Sequence, residues 1–257
     1  MARKCAFCIY RDGGNDEHLW SDWMGKMLPP DRYNFRRISQ DGTIRRFQGP
    51  KINLKTGVVC GECNHGWMSN LEGELQHSPF REMLIHGTSV TLTEHDIELI
   101  AAFAFKTTVI ANHMKLHDQP FFSDGERRRF RRTRELPSGF QVWISMRKSR
   151  AKSTGIFKSS YGIHRHPKYG YEFYTLTWGL GYVIVQALAG HWMRKKLRKK
   201  TAPIIVTQAP KMDEYAVTIW PFRTPVKWPP LKPVTDDMLR RFCNRFDSLE
   251  VPSWMTE

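Results

Sequence analysis

The sequence predicts an α+β protein, with a small cysteine-stapled unit over residues 1–88 and a larger basic α+β region over residues 89–257. Three observations predict it. Two Cys-x-x-Cys pairs, Cys5-Ala-Phe-Cys8 and Cys60-Gly-Glu-Cys63, frame the first unit. A strand–turn–strand pattern lies between the pairs, and a helical pattern follows the second. Beyond residue 90, a long apolar helix precedes several runs rich in aromatic and β-branched residues. The chain has 257 residues, enough for one large domain or two small ones. A hydrophobic content of 40% and an aromatic content of 12% supply a real core and argue against wholesale disorder.

Each element has a local reason. Residues 1–16 read as the first cysteine turn and a loop. Residues 19–28 have helical spacing, and Pro29-Pro30 stop them. Tyr33 to Ile38 and Thr43 to Gln48 read as two strands joined at Gln40-Asp41-Gly42, because an Asp-Gly step favours a tight hairpin. Arg36, Arg37, Arg45 and Arg46 decorate that hairpin, either as a solvated face or as one that meets phosphates. Residues 52–59 form a strand leading into the second cysteine pair. Asn64 to about Gln76 reads as a helix, with Trp67, Leu71 and Leu75 on one face, so Trp67 and Met68 belong to the core. Thr93-Glu-His-Asp96 resembles a capping box and opens a helix to about His113, which is nearly apolar all round and so is expected to be buried.

Glu126 to Arg134 forms a short helix or loop with six arginines. Strands are expected at Phe140 to Met146, Ile156 to Tyr161, Tyr171 to Trp178 and Tyr215 to Trp220. Thr177 to Met193 reads as a buried strand plus helix leading to the basic run Arg194 to Lys200. It is too short for a membrane span and holds Gln186 and His191. Pro-rich residues 221–234 are expected to drape over the surface.

The cysteine spacing points to a metal. Thiolates two residues apart grip one ion from a tight turn, and two such turns complete a closed tetrahedral Zn²⁺ site. The alternative is a disulfide framework. The chain opens Met-Ala-Arg-Lys with no apolar secretory stretch, so a reduced, intracellular (cytoplasmic) setting and a metal are expected. Cys243 lies apart as a lone thiol. His164 and His166 flank an arginine and read as turn residues rather than a second metal site.

Between the pairs lies Glu17-His18, and Asn64 follows Cys63 directly. A histidine takes a proton from water near neutral pH. A carboxylate and an amide oxygen suit a hard cation of the Mg²⁺ or Mn²⁺ class, which stabilises charge on a phosphate. Glu17 and Asn64 are thus candidate ligands of a catalytic ion, and His18 is the candidate base that activates water.

This set resembles the HNH, or ββα-metal, endonuclease superfamily, and is closest in layout to the recombination endonuclease VII branch. In that branch two Cys-x-x-Cys pairs bind zinc, an acidic-His dipeptide lies between them, and an Asn follows the last Cys. The resemblance covers about residues 5–75. It implies zinc at Cys5, Cys8, Cys60 and Cys63, a catalytic ion on Glu17 and Asn64, and His18 as base. Two departures stand out. Glu17 replaces the usual Asp, which shifts the carboxylate by a methylene. Trp67 and Met68 stand where the family has a further His or Asn ligand, for which His65, Asn70 and Glu72 are the nearby substitutes. Asn53 either orients His18, as the family's middle Asn does, or is a turn residue.

The chain carries 40 Lys plus Arg against 25 Asp plus Glu, a formal charge of +15, which favours a polyanionic partner. Arg127, Arg128, Arg129, Arg131, Arg132 and Arg134 suit sugar-phosphate contact better than a merely solvated face. The expected function is therefore phosphodiester hydrolysis in nucleic acid, DNA before RNA. The rival is a non-catalytic, zinc-stapled nucleic-acid-binding regulator. The region after residue 89 is expected to bind substrate, a protein partner or a second copy of the chain, and no membrane. Proteins of this layout occur in restriction, phage defence and mobile elements, and the sequence does not choose among them.

Overall fold

The computed structural model describes residues 4–28, 33–38, 44–49, 55–114, 120–148, 156–164, 170–192, 213–221 and 225–246. It is a mixed helix-and-sheet, α+β architecture. The N-terminal turn is closed by pairing of Lys4 with Asp12 and by the Cys5 N–H, which donates to the Arg11 carbonyl at 2.8 Å. Ile9 takes a φ of 60°, which lets the chain double back after Cys8.

Strand β1 (Asn15–His18) pairs antiparallel with a strand that arrives much later in the chain. The intervening residues supply helix α1 (Asp22–Met27), which buries Trp23 and Met24. They also supply the hairpin β2 (Tyr33–Ile38) and β3 (Ile44–Gly49). The two strands pair as the hairpin that the Asp-Gly step signals, with Phe35 opposite Phe47, Arg36 opposite Arg46 and Arg37 opposite Arg45. The turn itself and Asn53 lie outside the described residues. Strand β4 (Lys55–Val59) returns beside β1, with Glu17 opposite Thr56 and His18 opposite Lys55.

From β4 the chain passes Cys60 into the helical turn α2 (Gly61–Cys63). A wide turn follows over Asn64–Met68, then helix α3 (Ser69–His77). The expected single helix is thus interrupted. Gly66, at φ −91° and ψ −114°, leaves helical geometry and widens the coil at Asn64 and His65. Trp67 packs on the core while Met68, Leu71 and Leu75 are buried in it, as their spacing predicts.

Helix α4 (Phe80–His86) ends at Gly87, whose φ of 67° suits a residue without a Cβ. Strand β5 (Val90–Leu92) leads to helix α5 (Glu94–Met114). Its start is capped by Thr93 and Asp96: the Thr93 N–H donates to Asp96 Oδ2 at 2.9 Å and the Asp96 N–H to Thr93 Oγ1 at 3.2 Å. Helix α6 (Asp124–Thr133) has a full capping box between Ser123 and Glu126.

The remaining chain builds one antiparallel sheet from β6 (Phe140–Met146), β7 (Ile156–His164), β8 (Tyr171–Leu180), β9 (Val183–Trp192) and β10 (Val217–Trp220), in the spatial order β10-β6-β9-β8-β7. Strand β9 corrects the helix expected after Thr177: residues 183–192 are paired with β8, and 183–189 of them with β6 as well. A fully buried strand and a buried helix carry the same uninterrupted apolar pattern, so periodicity alone does not separate them. Strand β11 (Val226–Trp228) pairs with β5, and Val226, Trp228 and Val234 are buried. The Pro-rich segment therefore inserts side chains instead of only draping. Near the end, helix α7 (Leu239–Cys243) places Phe242 against Ile184 and Val234.

Helix α5 is the central element. It packs against α3 and β4 of the cysteine-stapled region and against β6, β8, β9 and β10 of the sheet. One continuous hydrophobic core runs from Cys5 to Trp228 through it. Among the described residues no helix is long and apolar enough to cross a membrane.

Candidate metal centre and adjoining acid–histidine site

The four cysteines come together. Cys5 and Cys8 sit on the N-terminal turn, Cys60 precedes α2 and Cys63 ends it. Their sulfur atoms lie within 4.8 Å of one another, and all four residues are buried. The Cys8 and Cys60 sulfurs are 3.8 Å apart. A tetrahedral zinc with sulfurs at about 2.3 Å requires edges of about 3.8 Å, so the spacing fits a closed thiolate site. The Cys60 backbone N–H points at Cys5 Sγ at 3.4 Å, supporting a sulfur that carries charge. A hydrogen bond from Cys63 holds the Cys5 thiol down at about 4 against the effect of burial. The same hydrogen bond, with burial, pushes Cys63 up. Cys243 lies apart and is half-buried.

Glu17 and His18 leave β1 on opposite faces, as successive strand residues must. Glu17 goes inward and is only 3% exposed, while His18 stays half-buried. An inward carboxylate needs a cation, and here α5 provides it. Lys106, fully buried, places Nζ 2.9 Å from Glu17 Oε1. The same Nζ donates to Glu72 Oε1 on α3. Burial pushes the Glu17 carboxyl up, the Lys106 charge opposes this, and Glu72 reinforces it; nearby His65 also acts to lower it. Burial works against the Lys106 ammonium, but Glu72 and Glu17 hold it above its usual range.

Glu72, a candidate substitute ligand, thus joins Glu17 through Lys106. Asn64 opens the wide turn immediately after Cys63, with its N–H donating to the Cys60 carbonyl at 3.0 Å. His65 is exposed beside it. Motif and spacing do not single out Lys106. Its one signal is that of a lone charge in the middle of an otherwise apolar helix, a position that demands a partner.

The arginine run forms α6, and most of its guanidinium groups turn toward the cysteine-stapled region. Arg127 is buried and donates to the carbonyls of Ala6 and Phe122 and to Asp124. Arg128 Nη1 donates to the Tyr10 hydroxyl at 2.6 Å. Arg131 Nη2 meets Glu62 Oε1 at 2.7 Å. Burial opposes the Arg131 charge, but Cys63 and Glu62 beside it raise its pKa. Arg134 forms a two-pronged pair with Glu74, both distances 2.7 Å. Arg129 pairs with Glu135, and Arg132 is exposed. Phe130 on the same helix packs edge-on against Trp67 and Phe105, with centroids at 5.5 and 4.6 Å. Much of the run therefore clasps α6 onto the cysteine turn, a role that charge density alone does not reveal.

His166 falls outside the described residues, as does the His164 side chain. No known protein family, curated protein or solved structure matches this chain.

Proposed function

We propose that the chain is a metal-dependent endonuclease that hydrolyses phosphodiester bonds in nucleic acid, with DNA as its substrate. The observation that supports this best is one continuous structural run. Strand β1 carries Glu17 and His18, β4 pairs beside it, and β4 leads through the buried cysteine cluster into the helical turn that presents Asn64. A strand pair followed by a helical turn is compatible with the ββα-metal layout that the sequence resembles.

In this reading Cys5, Cys8, Cys60 and Cys63 hold a structural zinc that fixes the start of the helix and takes no part in the chemistry. The donors near β1 are hard oxygens, a carboxylate and an amide, and fit a Mg²⁺ or Mn²⁺ ion. Such an ion, when bound, supplies positive charge to the phosphate and the leaving oxygen. Glu17, whose Oε1 is engaged by Lys106, and Asn64 are the residues that would hold it, through the second carboxylate oxygen and the amide oxygen. His18, on the other face of β1, takes the proton from the attacking water. The water oxygen forms the new bond to phosphorus as the bond to the 3′ oxygen breaks. Arg132 and Arg129, exposed on α6, provide positive surface for the backbone. Arg127, inside the protein, is not part of it.

Incubation of purified protein with supercoiled plasmid and Mg²⁺ or Mn²⁺ tests the proposal. Nicked or linear product is expected, abolished by a chelator of the divalent ion. Retarded but intact plasmid would instead assign the chain as a nucleic-acid-binding regulator. A structured RNA run in parallel decides the sugar preference.

A further inference from the structure

Lys106 is the one charge in the central helix that is fully buried, and it reaches from the sheet-packed helix into the strand–helix unit. It bonds Glu17 on β1 and Glu72 on α3 at once. Its ammonium also lies 5.0 Å from the Phe103 ring centroid, which bounds it on another side. A lysine held by two carboxylates and a ring has little freedom, so the Glu17 oxygen it grips has little freedom either. Resting on the ion site of the nuclease reading, we propose that Lys106 is a positioning residue: it pins Glu17 Oε1 so that Oε2 faces the divalent ion.

The site is then not complete within residues 1–88. It needs a side chain 89 positions further along the sequence than Glu17 (106 − 17 = 89). A buried Glu in place of the shorter Asp gains an extra rotatable bond, and Lys106 removes that freedom. Glu72 balances the lysine. With both carboxylates ionised the triad carries net −1, one negative charge beyond neutrality, and this is what a cation would meet.

Charge and position are separable by substitution. Lys106→Met leaves two carboxylates and a net charge of −2. Lys106→Met with Glu72→Gln restores −1 with the pin gone. Both variants leave Glu17 buried without its cation, which costs stability, so the comparison is made only between variants that still fold. Zinc content and near-ultraviolet circular dichroism identify variants that keep the fold. Binding of Mn²⁺ to zinc-loaded full-length protein is read from loss of the free-ion electron paramagnetic resonance signal, without any substrate.

Positioning by Lys106 predicts that both folded variants need at least tenfold more Mn²⁺ than the wild type for half-saturation. If charge alone mattered, Lys106→Met would bind Mn²⁺ more tightly and the double variant would equal the wild type; either result overturns the proposal. Unchanged binding in both variants overturns it too, leaving Lys106 a packing residue. A wild type that binds no Mn²⁺ overturns both the pin and the ion site of the nuclease reading. Lysine-dependent Mn²⁺ binding without plasmid cleavage supports the pin and removes the nuclease reading alone.

Discussion

Replacing Arg127 with Met tests whether α6 is an internal clasp. Methionine keeps most of the unbranched stem but has none of the donors. The Ala6 carbonyl, inside the first Cys-x-x-Cys turn, and the Phe122 carbonyl are then left without their partner. A buried acceptor left unsatisfied costs about 1–3 kcal/mol, so two cost roughly 2–6 kcal/mol. The guanidinium is itself desolvated, and burial lowers its pKa; removing it returns part of that, leaving a net loss of about 2–4 kcal/mol. For a chain of this length each kcal/mol moves Tm by about 2–4 °C, so the midpoint should fall by roughly 5–15 °C. Arg132→Met, at an exposed position of the same helix, should change stability by about 0.5 kcal/mol or less. Thermal melts monitored by circular dichroism, with zinc release to a colorimetric chelator, read both. Equal, small shifts for the two variants would refute the clasp.

Three further outcomes are expected. Stripping the metal with a strong chelator should lower Tm by about 10 °C or more and unfold the N-terminal unit, since binding of a structural zinc is folding free energy; metal analysis that finds no zinc in folded protein would contradict this. Glu17→Ala and Asn64→Ala should each slow cleavage and be partly restored by excess Mn²⁺, whereas a defect that no metal concentration restores would assign them another role. Arg129→Gln with Arg132→Gln should flatten the log–log salt dependence of duplex binding by about 0.9 for each phosphate no longer neutralised, and an unchanged slope would move the binding surface to the β2–β3 hairpin.

Much of this protein is readable residue by residue, and the failures share a cause. The β2–β3 hairpin, the Thr93 cap and the cysteine cluster depend on residues close in sequence or on a fixed spacing, and all appear where expected. The break at Gly66 depends on a backbone geometry that the apolar spacing of Trp67, Leu71 and Leu75 does not encode. The helix expected in the β9 segment fails because both faces of the strand are covered, Val185 and Ala187 by the main core and Ile184 by Val234 and Phe242 on the other side, which erases the alternation that marks a strand. The meaning of Lys106 and Arg127 lies with Glu17 and Ala6, far along the chain, and no local pattern names such partners. Glu17 and His18 are legible as chemistry, while the inward burial of Glu17 is not.

The most direct measurement is the cleavage rate of His18→Ala on supercoiled plasmid with Mn²⁺, alongside its zinc content and DNA affinity. With His18 as the base, the rate falls by about 10²–10⁴-fold, the usual contribution of a positioned proton acceptor, while zinc and affinity stay at wild-type levels. Wild-type cleavage by pure His18→Ala protein would contradict the assignment of catalysis to this site.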